Sequence, residues 1–291
     1  MTDPAIPANT RPLDGATPRL VAPPGATDCH MHIFAEGFAS QPGGPPIAQL
    51  ATVDDYRVVQ RRLGLERVIV TQSNAYQFDN GATLSALDRF GADHARAVIA
   101  VSPTATEEEL APLTARGVRG ARIMNLPGGA VPIADMAPVE ARVRALGWSL
   151  IVQFDGRELD VHLPALKAIE APYVIDHFGK FLEPVPADDA RVDAIIDLID
   201  RGNAWYKICA PYETSRTGAP GYNDVAAIAR RVIAHAPERV IWGSNWPHVS
   251  VKPDAADYPD EALLLDNLLD WAPEEVRRRI LVDNPAELYG F

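Results

Sequence analysis

Short apolar runs alternate with longer amphipathic stretches from about residue 26 to the end of the chain. Eight of the runs read as strands: 26–33, 67–73, 96–101, 119–124, 149–154, 172–177, 204–209 and 239–244. They are short and nearly all apolar, the pattern of strands covered on both faces. Stretches such as 53–64, 81–91, 106–116, 137–147, 188–201 and 223–236 carry the helical period between them, with Asp54, Asp188 and Asp224 as expected helix starts. Asp79 or Asn80 is expected to cap the helix from 81. Strands and helices in strict alternation predict an α/β protein, a (β/α)8 TIM barrel, over residues 25–291. Residues 1–24 hold six of the 26 prolines and little apolar period, so they predict an extended Pro-rich arm outside the core.

Composition narrows the class. An apolar fraction of 47% and a charged fraction of 23% are ordinary for a globular chain. The net charge of -12 argues against a nucleic-acid partner, while a few local cations still suit a small anionic substrate. Cys29 and Cys209 lie in apolar runs and read as buried thiols in a reducing compartment. No run approaches the roughly 20 apolar residues of a membrane span, and residues 1–10 lack the basic and apolar regions of a signal peptide. A cytoplasmic protein without a membrane partner is expected. The sequence carries no signal of oligomeric state.

The polar residues gather where the strands end: His30 and His32, Gln72 and Asn74, Arg122 and Asn125, Gln153 and Asp155, Asp176 and His177, Lys207, and Asn245. A barrel of this kind builds its site there, and polar groups in an apolar mouth are costly unless they pair with each other or with a ligand. His30 and His32 are two apart on a strand and are expected on one face, with Asp28 deeper on the same face. Such a pair either ligates a divalent metal or polarises a carbonyl. With His177 it would make a mononuclear zinc site. Arg122, Gln153 and Asn245 stand where further ligands would be wanted, and a guanidinium repels a metal. The metal-free reading, with no cofactor, is therefore favoured.

Arg122 is the best anion anchor, because its fork fits a carboxylate; Lys207, Arg216 and His248 would supplement it. Asp155 and Asp176 are the carboxylates at the mouth. Either would serve as general base if burial raises its pKa, and Asp176 would alternatively orient His177. Tyr212 and Glu213 are further acid/base candidates. Leu126-Pro127-Gly128-Gly129-Ala130 lacks the marks of a phosphate loop and reads as a turn allowing close backbone approach. Trp242 and Trp246 are expected to pack the barrel end.

Asp28-Cys29-His30-Met31-His32, Ile175-Asp176-His177-Phe178-Gly179-Lys180, Trp242-Gly243-Ser244-Asn245-Trp246-Pro247-His248 and Asn284-Pro285 together resemble the amidohydrolase superfamily. Within it the chain looks like the lactone-acting group, the motifs running in order over residues 25–291. Asn245 stands where the lactonases of that group carry an aspartate, and an amide cannot accept a proton near neutral pH. The likeness is narrowest to lactone isomerases, carried by phrases such as Thr71-Gln72-Ser73-Asn74 and Arg122-Ile123-Met124-Asn125-Leu126-Pro127. It implies that a six-membered aldarate lactone rearranges to the five-membered form, in sugar-acid catabolism and without metal. The complete pair His30 and His32 departs from the isomerases, which lack the first histidine. A sugar-acid or dicarboxylate lactonase, metal-independent or with one zinc at His30, His32 and His177, is the alternative. The expected catalytic set is His30, His32, His177, Asp155 and Asn245. Gln72, Asn74, Arg122, Gln153, Lys207, Tyr212, Arg216 and His248 are expected to bind substrate.

Overall fold

A computed structural model of the chain describes residues 6–291. Eight strands form one parallel sheet in chain order: β1 (Thr27–Met31), β2 (Arg67–Thr71), β3 (Ala95–Ile99), β4 (Val118–Met124), β5 (Ser149–Gln153), β6 (Tyr173–Ile175), β7 (Ala204–Cys209) and β8 (Val240–Gly243). The sheet closes just beyond β8. The His32 amide donates to the Trp246 carbonyl and the Asn245 amide to the His30 carbonyl, each at 2.8 Å. The expected (β/α)8 barrel is therefore the fold, with every strand at its predicted place. Seven helices alternate with the strands: α1 (Val53–Leu63), α2 (Gly81–Phe90), α3 (Glu107–Arg116), α4 (Met136–Ala145), α5 (Leu159–Ala168), α6 (Ala190–Asp200) and α7 (Asn223–His235). No helix among the described residues is long and apolar enough to cross a membrane.

The floor of the barrel is one apolar layer. Cys29, Ile69, Val98, Ile151, Val174, Trp205 and Ile241 come from every strand but β4, and Tyr289 packs against them. A bulge in β1 between Asp28 and Met31 breaks the strict alternation of side chains. Cys29 joins the floor, while Asp28 turns towards α1 and accepts from Tyr56 Oη at 2.8 Å and from Ser244 Oγ at 2.5 Å. The expectation that Asp28 shares a face with the histidines is corrected on that ground. Gly243 lies so close to β1 that a Cβ there would meet His30 Cβ at 2.7 Å, so only glycine lets β8 pass under the histidine.

Helix starts differ in detail from expectation. α1 is capped by Thr52 in a reciprocal box with Asp55, and α6 by Asp189. Asp224 does not cap α7; it fastens the loop after β7, accepting from Ser215 Oγ and the Arg216 amide. Asp79 accepts from the Gly81 amide as expected, whereas Asn80 bridges both backbone groups of Ala100. Pro164 sits inside α5 and interrupts the apolar period there.

The arm is extended but docked. Leu50 donates to the Pro7 carbonyl at 2.8 Å, Arg11 Nη1 donates to the Leu50 carbonyl at 2.9 Å, and Leu20 is buried in the main core. An arm wholly outside the core is therefore corrected: Leu20 contributes to it.

Candidate active site

A cavity of about 100 Å3 opens at the carboxyl ends of the strands, lined by His32, Asn74, Arg122, Gln153, His177, Lys180, Glu213 and Asn245 with Pro45, Ser73, Met124 and Val249. A vestibule of about 410 Å3 shares its Asn74, Met124 and Glu213 wall and runs out between the loops 45–49 and 249–253. The backbone at this end is under strain. Eight non-glycine residues among those described have positive φ, and seven of them (His177, Phe178, Lys180, Ala210, Tyr222, Asn245 and His248) lie in the loops after β6, β7 and β8. Such conformations cost about 1–3 kcal/mol each and collect where side chains must be aimed.

Beneath the cavity runs a directed chain of hydrogen bonds. Lys207, fully buried, offers Nζ to His30 Nδ1 at 3.1 Å. An ammonium only donates, so His30 Nδ1 accepts and its proton sits on Nε2. His30 Nε2 then donates to His32 Nε2 at 3.3 Å, and His32 Nδ1 donates to the Thr71 carbonyl at 2.8 Å. Burial first, then the nearby cations Lys207 and Arg122, hold both imidazoles neutral; His32 is lowered to about 3.

Asp176 is the buried counter-charge. Its Oδ1 lies 3.0 Å from His177 Nδ1 and 3.1 Å from Lys207 Nζ. Burial works to raise its pKa, but its close contacts with His177 and Lys207 win and hold it well below the carboxylate range. With Nδ1 turned to Asp176, His177 presents Nε2 to the cavity, 3.8 Å from Glu213 Oε2. Glu213 is brought to about 2: burial opposes ionisation, and the adjacent Lys180 ammonium, its ion-pair partner, outweighs it. Arg122 donates Nη1 to the Gln72 carbonyl at 2.6 Å and Nη2 to Gln153 Oε1 at 3.2 Å, and its buried Nε has no partner among the described residues. Gly129 closes this wall, packed against the Met124 carbonyl with no room for a Cβ.

With this geometry the comparisons with known proteins are direct. The family model described as amidohydrolase matches residues 27–291. The chain belongs to the amidohydrolase family. It is 46% identical to the D-galactarolactone isomerase of Agrobacterium fabrum, over 96% of each chain. It is 32% identical to a 4-sulfomuconolactone hydrolase of Hydrogenophaga intermedia, over 94% of this chain and 91% of that one. A crystal structure of an Agrobacterium tumefaciens protein, solved without ligand, superposes with a TM-score of 0.93 at 45% identity, over 97% of this chain and 99% of that one.

This amidohydrolase brings His32, Asn74, Arg122, Gln153, His177 and Asn245, of the residues expected at the site, to one cavity. His30 and Lys207 lie beneath it, in contact with His32 and Asp176 respectively. Three predicted residues serve other ends. Gln72 is consumed by the carbonyls of Gln77 and Asp79 and the hydroxyl of Thr83. Asp155 caps the turn after β5 and clasps Arg157, its Oδ2 2.6 Å from Nη2. Arg216 is largely exposed and faces Glu183 at 3.5 Å. Tyr212 and His248 stand behind Asn245, linked at 2.8 Å. Lys180 is a site residue outside the predicted set. Its signal was its place three residues after His177, but only the left-handed backbone at 177–180 turns it inward.

Proposed function

We propose that this amidohydrolase interconverts the six- and five-membered lactones of an aldarate by intramolecular acyl transfer. The observation that carries the reading is Asn245, an amide on the cavity wall where hydrolysis would call for a proton acceptor. The 46% identity to D-galactarolactone isomerase supports it. In this reaction a hydroxyl of the substrate's own chain attacks the lactone carbonyl while the ring oxygen departs. The proton lost by the first oxygen ends on the second, and water is neither consumed nor released.

The side chains divide the work. Arg122 holds the free carboxylate with the N–H groups of Nη1 and Nη2 that Gln72 and Gln153 leave unspent. His177 Nε2 takes the proton from the attacking hydroxyl and returns it to the leaving oxygen, its ring aligned by Asp176. Lys180, kept in place by Glu213, offers positive charge to the oxyanion that forms between. Holding both reacting groups in so small a space supplies the proximity on which an intramolecular transfer depends.

The histidine pair does not fit a metal. His30 Nδ1 already accepts from Lys207, its Nε2 donates, and His32 Nε2 is the acceptor of that bond, so neither ring has a lone pair to spare. Metal-free turnover follows as part of the proposal. Incubating the chelator-treated protein with a six-membered aldarate lactone under NMR is expected to give the five-membered ring without open diacid. In Asn245→Asp, ring interconversion is expected to fall and slow opening to the diacid to rise. A wild-type enzyme that opens the lactone faster than it changes ring size would make this a hydrolase.

A further inference from the structure

Behind Asn245 a second directed chain leaves the cavity. Asn245 Nδ2 donates to Tyr212 Oη at 2.9 Å, Tyr212 Oη lies 2.8 Å from His248 Nδ1, and His248 Nε2 lies 3.1 Å from Glu261 Oε1. Glu261 is in turn paired with Arg62 of α1. Carboxylates stand at both ends. Glu213 Oε1 lies 3.5 Å from Asn245 Nδ2, and Glu261 receives His248. An ionised carboxylate only accepts, so a donor must face it at each end. That leaves one polarity: the Asn245 amide donates to the tyrosine, the tyrosine hydroxyl donates to His248 Nδ1, and His248 donates from Nε2 to Glu261. In the reverse polarity Asn245 Oδ1 would face Glu213 and an imidazole lone pair would face Glu261, two repulsive contacts in a buried place.

We infer that Tyr212, His248 and Glu261 are positioning residues that lock the Asn245 amide with Oδ1 towards the cavity, as an acceptor for a substrate hydroxyl. Both amide protons are then committed to Tyr212 and Glu213, and Oδ1 is the group left for ligand. Asn245 and His248 both lie in the left-handed region, at φ 62° and 55°, and the His248 amide donates to the Asn245 carbonyl at 2.8 Å. The tight turn thus carries the amide and the ring that orients it as one unit. A lock of this kind selects a lactone that presents a hydroxyl at Asn245, because a ligand without one leaves a buried acceptor unpaired.

The inference rests on the isomerase reading for what the hydroxyl does, but its first test does not. Long-range proton–nitrogen NMR of the labelled full chain reads the His248 tautomer directly, and the expected result is a proton on Nε2 with Nδ1 as acceptor. A proton on Nδ1 overturns the inference whatever the protein does to a lactone; failure of lactone turnover with the expected tautomer sinks the isomerase reading alone. The second test is kinetic. Tyr212→Phe keeps the ring and removes the link, and is expected to lower kcat about tenfold, the size of one lost hydrogen bond. His248→Asn, whose Oδ1 stands where Nδ1 stood, is expected to recover most of the kcat lost in His248→Leu. Wild-type kcat in Tyr212→Phe, or equal losses in the two His248 variants, would overturn the lock.

Discussion

Arg122 is the proposed anchor for an anion in the cavity. One N–H of Nη1 is spent on the Gln72 carbonyl and one of Nη2 on Gln153, which holds the guanidinium in place and leaves a second N–H on each for a ligand. Arg122→Lys keeps the charge but loses the fork and both wall contacts. Substrate binding is expected to weaken by about 1.5–3 kcal/mol, the range for hydrogen bonds to a charged group; isothermal titration with the five-membered lactone or kcat/KM measures it. Unchanged binding would make the arginine a wall strut and move the anion to Lys180. At this scale the histidines and Arg122 were legible, because their chemistry and strand-end placement coincide. Gln72 and Asp155 occupy equally good strand ends but face a turn and a cap. Which way a side chain leaves a strand end depends on backbone geometry that composition does not encode.

Among the elements, the strands were legible throughout and the loops were not. A parallel strand announces itself by an apolar run, whereas the left-handed residues after β6, β7 and β8 carry ordinary side chains such as Phe178, Lys180 and Ala210. The arm was misjudged for a related reason. Its prolines read as extended chain, which it is, but its contacts are a backbone carbonyl, one arginine and one leucine, too few and too scattered to make a sequence pattern. Those contacts hold residues 49 and 50 at the end of a loop that forms the vestibule wall. Deleting residues 1–12 is expected to lower stability by only about 1–3 kcal/mol, the net worth of two or three hydrogen bonds, and to raise KM by up to about tenfold. Urea unfolding and steady-state kinetics check the two halves separately, and an unchanged KM would show that the loop holds itself.

For the molecule as a whole, buried ionisable groups set the acid limit of stability. His32 has its folded pKa lowered from 6.5 to about 3. The unfolded chain therefore takes up a proton below pH 6.5 that the folded chain refuses, and His30 is shifted in the same direction. Stability is complete above pH 6.5 and falls as pH drops towards 3, by about 1.4 kcal/mol per pH unit for each histidine. Glu213, lowered from 4.5 to about 2, adds a second loss as pH falls from 4.5 towards 2. Unfolding free energies measured at pH 7.5, 6 and 5 are expected to decline, steepening below 6; a flat profile down to pH 5 would mean that the histidines are charged in the fold.

One consequence concerns length. Arg122 stands on β4 and Asn245 just beyond β8, halfway round an eight-stranded ring from each other. In the proposed reading the backbone points that carry the carboxylate clamp and the hydroxyl acceptor lie opposite each other, a spacing set by the number of strands and their tilt. A replacement at either point alters the reach of one side chain into the mouth but leaves the two points where they are. Loops are free to vary the stereochemistry a lactone presents, while the span across the mouth is set first by the ring.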